Sequence, residues 1–160
     1  MRRGFGGFAH TNNKYGARKV IFKGIKFDST YERDRYINLL HLQREGKISG
    51  LRLQQEFILI PQLTKLVPKQ LKTKVRYDKR VVEQDSRYTC DFIYIENGVY
   101  VMEEFKSEMT SKLADYIIRR KLMVAKIYEH NKKGRGQWLF REVVYSIDKK
   151  KQQHTTITDK

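Results

Sequence analysis

The stretch that most limits what this chain can fold into runs from Arg87 to Lys106. Two apolar-rich runs, 87–95 and 99–106, flank Glu96-Asn97-Gly98. Asn-Gly between such runs is the strongest short-range signal for a hairpin with a two-residue loop. Into this hairpin the chain sets Asp91 near one outer end, with Glu104 and Lys106 near the other. Residues two apart on a strand face the same way, so Glu104 and Lys106 share a face and Glu103 points to the opposite one. Because the hairpin folds back, Asp91 comes beside 104–106. Two carboxylates and one ammonium on a rigid sheet make a seat for a divalent cation and a water.

The flanking segments supply the rest of a domain. Val20-Ile21-Phe22 and Ile25-Lys26-Phe27 around Lys23-Gly24 read as a small hairpin. Ser29-Thr30-Tyr31-Glu32 has the form of a capping box, opening a helix that runs to about Glu45 and stops at Gly46. Its apolar stripe is Tyr36, Ile37, Leu39, Leu40 and Leu42. Alternation from Leu51 to Leu59 predicts a strand over about 51–60, ending before Pro61. Residues 61–80 read as a basic loop or irregular excursion leading into a strand near 72–82. Thr110 or Ser111 caps a long helix to about Asn131, with an apolar side of Leu113, Ile117, Leu122, Val124, Ile127 and Tyr128. A last strand follows over 137–145. The helix joining strands 99–106 and 137–145 is a crossover that favours their parallel pairing. The predicted fold class is α/β, a mixed central sheet flanked by helices. Residues 1–17 read as a flexible basic arm, 18–147 as the domain, and 148–160 as a frayed polar tail.

Charge narrows the partner. Lys and Arg number 34 against 18 Asp and Glu, a formal net charge of +16. That exceeds what solubility needs and points to a polyanion, nucleic acid above all. No long apolar run or signal-peptide pattern is present, which predicts a cytoplasmic protein with no membrane partner. The lone Cys90 precludes an intrachain disulfide or a cysteine-based zinc site, and reads as a small hydrophobe in its strand. Lys72 and Lys74 lie among seven cations of the 61–80 region that either line a nucleic-acid groove or form a solvated surface. On the long helix, Lys112, Arg119, Arg120 and Lys121 make a basic side. Trp138, placed in the last strand, reads as a core or interface residue rather than a base-stacking one.

Phosphodiester hydrolysis needs a metal, an activated water and charge stabilisation at phosphorus. Asp91 and Glu104 are hard oxygen ligands suited to Mg²⁺ (or Mn²⁺), and the Phe105 carbonyl between the two side chains is a further candidate ligand. Lys106 is placed to orient the water or stabilise charge. Its carboxylate neighbours favour the ammonium form, so the electrostatic role is preferred over that of a base. The competing reading pairs Asp91 and Glu104 with cations as ordinary ion pairs at the end of the sheet. Glu32, similarly, is either a cap alone or a member of the site.

The pattern Asp91 … Glu104-Phe105-Lys106 resembles the active-site motif of the restriction-endonuclease-like, or PD-(D/E)xK, nuclease superfamily. From about Lys14 to Tyr145 the chain also resembles a family of small phage and prophage proteins long described as being of unknown function. The segments that carry this are Lys19–Ser29 with Glu32, Leu53–Pro61, the Asp91-Phe92 strand and the basic helix after Lys106. The resemblance implies a restriction-endonuclease-like core and a Mg²⁺- or Mn²⁺-dependent endonuclease acting on DNA. It makes Glu32 a member of the acidic site and brings Gln54 or Gln55 near metal or phosphate. Branched recombination or replication intermediates are the implied substrates, and a homodimer would let two sites cut two strands. Ser107 stands where such relatives carry glycine, which predicts an altered loop after the lysine, and Arg119 stands where they often carry Lys. Two readings of another kind stay open: a nucleic-acid-binding protein without catalysis, and a phage assembly protein. RNA as substrate stays open too.

Overall fold

The computed structural model of the protein describes residues 19–134, 136–148 and 152–160. The basic arm expected over 1–17 lies outside them. Asn97 and Gly98 both adopt positive φ, +50° and +80°, the turn that matches strand twist in a two-residue loop. They join β6 (Ser86–Glu96) to β7 (Val99–Ser107), the middle of a five-stranded sheet. β3 (Ser49–Ile60) pairs antiparallel with β6, and β8 (Trp138–Ile147) pairs parallel with β7 through the crossover helix α2 (Ala114–Lys132). The sheet closes on β9 (Gln153–Asp159), antiparallel to β8. This is an α/β architecture with a mixed central sheet and two flanking helices, the second being α1 (Thr30–Arg44). The β1 (Val20–Phe22) and β2 (Ile25–Phe27) hairpin packs by α1.

Each sheet face buries its own cluster. Phe92, Tyr94, Val101, Phe105 and Val143 pack with Tyr36 and Leu39 of α1. Tyr88, Cys90, Ile93, Met102 and Phe140 pack with Met123 and Ile127 of α2. Cys90 and Phe92 would share a face on an uninterrupted strand, yet they belong to opposite clusters. The switch falls at Asp91, where the β3–β6 register steps over the Gln54–Asp91 rung and Gln54 takes φ +49°. Strand irregularities of this kind re-aim side chains, and they concentrate beside functional sites.

Several expectations are corrected. The strand expected near 72–82 is β5 (Val75–Glu83), but the stretch before it is not irregular: β4 (Leu63–Gln70) pairs with β5 in a two-stranded ribbon outside the main sheet. The polar tail holds β9, because Arg141 pairs with Asp159 at 2.7 Å and the Lys160 backbone exchanges hydrogen bonds with Phe140. Thr110 and Ser111 do not cap α2. Thr110 instead bonds reciprocally with Ser107 in a tight turn, a 3₁₀ segment follows over 110–112, and α2 begins at Ala114. The inward face of α2 matches the expected one at Ile127 and Val124 but is turned elsewhere. Tyr116, Met123 and Ile127 are buried, whereas Leu122 and Tyr128 are exposed. Buried Glu142 causes this, since it accepts hydrogen bonds from Tyr116 (2.8 Å) and Arg120 (2.6 Å) and so draws that face to the sheet.

Glu103 is wholly buried on the α1 face. It is held bidentately by Arg35 at 2.7 Å for each bond, and by the Tyr94 hydroxyl at 2.6 Å. Removing one partner of such a pair leaves an uncompensated charge in the interior. Arg35→Ala should therefore cost about 3 kcal/mol of unfolding free energy, measured by urea denaturation. A loss below about 1 kcal/mol would mean that Tyr94 suffices to hold Glu103.

Candidate functional site

The β6–β7 ladder ends at the Phe92–Glu103 rung, and beyond it the strands part. Asp91 occupies the fork. Its Oδ2 accepts the Phe105 backbone N–H at 2.8 Å, so a side chain takes the place of the next rung. Lys106 then bridges the acids, with Nζ 3.3 Å from Asp91 Oδ2 and 2.5 Å from Glu104 Oε1. The Tyr116 ring lies 5.8 Å beneath the ammonium, adding a cation–π contact. Burial alone would lower the Lys106 pKa, but Asp91 and Glu104 outweigh it and hold the side chain protonated.

A cleft of about 840 Å³ opens over this fork, at the carboxyl ends of parallel β7 and β8. Asp91, Phe105 and Lys106 form one wall, and Asp28, Ser29 and Glu32 at the start of α1 form another. The Ser29 hydroxyl accepts from Glu32 N at 3.1 Å, and Glu32 Oε2 accepts from Asp28 N at 2.9 Å. Glu32 thus closes the cap and lines the cleft, so the two readings are not exclusive. Burial, then the charge of Asp91, pushes its pKa up to about 7. Burial also raises Asp91, against the opposing pull of Lys106.

Glu104 sits behind the cleft wall rather than on it, buried on the α2 side. Burial and then Asp91 raise its pKa to about 7. Its Oε2 and the Tyr88 hydroxyl feel each other electrostatically, yet neither atom completes a hydrogen bond. Among the described residues, no three or more His, Cys, Asp or Glu side chains gather as a ready-made metal cage. What the fork offers is an acid pair clasping one ammonium, with a third acid across the cleft.

The other candidates fall in different places. Phe105 stacks on Tyr145 at 5.1 Å, which itself stacks on Tyr31. Lys112 lines the cleft and pairs with Glu108 at 2.7 Å. Arg119 pairs with Asp115 on the exposed side of α2, Lys121 is exposed, and Arg120 is committed to Glu142. Gln54 reaches the Lys26 carbonyl at 3.4 Å, and Gln55 faces a separate depression shared with Arg52. Lys72 and Lys74 lie exposed in the turn between β4 and β5. Trp138 stacks on Tyr100 at 4.9 Å and is clamped by Asn131, and Cys90 is buried. Tyr88 and Tyr116, which flank the Lys106–Glu104 pair, were not legible as site residues, because nothing in a tyrosine's spacing marks which acid it will meet. No described helix is long and apolar enough to cross a membrane.

A carboxyl whose native pKa lies above its unfolded value binds protons more tightly when folded. Its stabilising contribution is complete below the unfolded pKa near 4.5 and is lost as pH rises to about 7. For Glu32 this difference amounts to about 3 kcal/mol. Urea unfolding in chelator at pH 5 and pH 7.5 should show a smaller fall in stability for Glu32→Gln than for the parent chain. An identical fall in both would mean that Glu32 titrates normally.

No curated protein and no solved structure was found to match the chain. A family match does cover the fork, the cleft and both helices: the chain belongs to the family described as protein of unknown function (DUF1064), which it matches over residues 12–147.

Proposed function

We propose that the protein is a divalent-metal-dependent endonuclease with a restriction-endonuclease-like core, acting on DNA. The observation that carries this reading is the Lys106 ammonium held between Asp91 and Glu104 at the mouth of a cleft, in a chain of net charge +16. Carboxylates repel a phosphate backbone. A pure binder gains little by setting Asp91 and Glu32 in a cleft with Glu104 buried behind it, whereas a nuclease needs such acids for a cation.

The residues present fit Mg²⁺ or Mn²⁺ by their donor chemistry. Asp91, Glu104 and Glu32 are hard oxygen donors, Glu104 Oε2 is a buried oxygen with no hydrogen-bond partner, and the Phe105 carbonyl is a further donor. Mg²⁺ keeps several waters and binds through one or two carboxylates plus substrate phosphate, so the lack of a three-acid cage does not count against it. Bound there, the ion would supply Lewis-acid polarisation of the phosphate and a more acidic water. Lys106, held protonated, donates to a phosphate oxygen and stabilises the charge that develops at phosphorus. The Phe105 N–H fixes Asp91 in place, and Tyr116 supports Lys106 from below. Lys112 at the cleft rim, with Arg119 and Lys121 along α2, would neutralise flanking phosphates. Arg120, tied to Glu142, would serve chiefly to set α2. Branched intermediates, a phage or prophage origin, action in the host cytoplasm and a homodimer complete the proposal, all by analogy with the superfamily.

A second reading draws on the same geometry. If the Lys106 bridge is only an ion pair closing the end of the sheet, the protein is a non-catalytic nucleic-acid-binding or phage assembly factor. Cleavage of a labelled panel of four-way junction, flap, single strand, duplex and RNA separates the two, with Mg²⁺, Mn²⁺ or chelator. Metal-dependent cutting should fall about 100-fold or more in Lys106→Ala and Asp91→Asn. Calorimetric Mn²⁺ binding should also be lost in Asp91→Asn. Salt-sensitive binding with no cutting in any metal, unchanged by either substitution, would sink the catalytic assignment.

A further inference from the structure

Two-residue alternation gathers most of the β4–β5 ribbon's cations on one side. Cross-strand partners share a face, so the register puts Lys65 with Arg80 and Lys69 with Arg76 on one side. Asp78, opposite Val67, is the acid on that side, and it pairs with Arg76 at 2.7 Å. The reverse side carries Leu66, Pro68, Tyr77 and Val81, with Lys79 opposite Leu66 as its one cation. Lys72 and Lys74 crown the turn between the strands. All of these cations are exposed.

The ribbon also starts in a telling place. It continues the β3–β6 pair beyond its terminal Ile60–Ser86 rung. Asp91, at the middle of β6, lies about 17 Å from that rung along the same strand at 3.3–3.4 Å per residue. A ribbon of eight rungs reaches about 25 Å further. A two-stranded ribbon is one of the shapes that duplex DNA accepts in its major groove.

We infer that this ribbon is a nucleic-acid-gripping arm, whose basic face neutralises duplex phosphates flanking the cleft. It rests on the reading that nucleic acid is the partner. Long cationic side chains along one face, on two rungs about 14 Å apart and rooted about 17 Å from Asp91, fit a backbone contact rather than base reading. The ribbon thereby supplies grip outside the cleft, where the acids of the fork repel phosphate.

The test is equilibrium binding in chelator, so that hydrolysis plays no part. A labelled duplex three helical turns long is titrated across a salt series. The chain with Lys65, Lys69, Arg76 and Arg80 all changed to Gln is compared with a charge-matched variant altered at Arg44, Lys47, Lys132 and Lys133. The ribbon variant should lose roughly 3 to 4 from the slope of log K against log salt, and roughly tenfold or more in affinity. The matched variant should keep most of both. Lys65→Gln with Arg80→Gln alone should give about half the change in slope, which guards against a misfolded quadruple variant. Equal losses in both quadruple variants would show that bulk charge binds DNA, and an unchanged slope would show that the ribbon does not touch it. Either result overturns the arm. A chain that cuts nothing in any metal, yet shows the ribbon-specific loss, would end the nuclease reading and leave the arm standing.

Discussion

Three carboxylates buried in the central sheet set the terms for everything packed around it. An ion moved from water into a protein interior loses several kcal/mol of solvation unless cations and hydrogen-bond donors replace the water. Glu103 and Glu104 are neighbours on β7 and so face opposite ways, while Glu142 stands beside Glu104 on β8. Each must be compensated on its own side. Glu103 takes Arg35 from α1, Glu104 takes Lys106 from its own strand, and Glu142 gathers Tyr116, Arg120 and Lys160. The helices are thus oriented by charge as well as by apolar area. Met123 and Ile127 pack inward on the face that Arg120 must present, and Leu122, the more obvious apolar residue, is left outside.

The fork follows from the same economy of partners. Where the β6–β7 ladder stops, a backbone N–H would be left without an acceptor, and unpaired buried backbone groups are costly. Asp91 meets that need at Phe105 and keeps its other contact for Lys106. The change of face at Asp91, opposite the unusual backbone of Gln54, delivers the carboxylate to the cleft while Cys90 and Phe92 stay in the two cores. Glu32 arrives from another direction, on the first turn of α1, where capping already demands an acid. One geometry therefore serves stability and concentrates acids whose pKa values rise together.

Much of this could be read from the chain because it rests on local rules. Asn97-Gly98 dictates its own turn, the two-residue period puts Glu104 and Lys106 on one face with Glu103 on the other, and Ser29 with Glu32 marks a helix start. The parallel pairing of β7 and β8 follows from the length of the helix between them. The second strand of the ribbon is legible near 72–82, but the first is not, because Pro61, Pro68 and a high density of charge mask a strand pattern whose apolar positions stay largely exposed. β9 was missed for a similar reason: Gln153 to Asp159 is exposed throughout and is held by pairing with β8, not by burial.

The sequence by itself determined the central hairpin, the identity of the acids and the lysine at its fork, and the excess of positive charge, since each depends on residues close together or on simple counting. Tertiary structure alone decided that Tyr116 and Met123 rather than Leu122 and Tyr128 complete the inward side of α2, that Glu104 lies behind the cleft while Glu32 lines it, and that Tyr88 and Tyr116 flank the ion pair. Those outcomes depend on burial and on partners distant in the chain, and the pKa of a carboxyl or the reach of a lysine is set by what surrounds it, not by its neighbours in sequence.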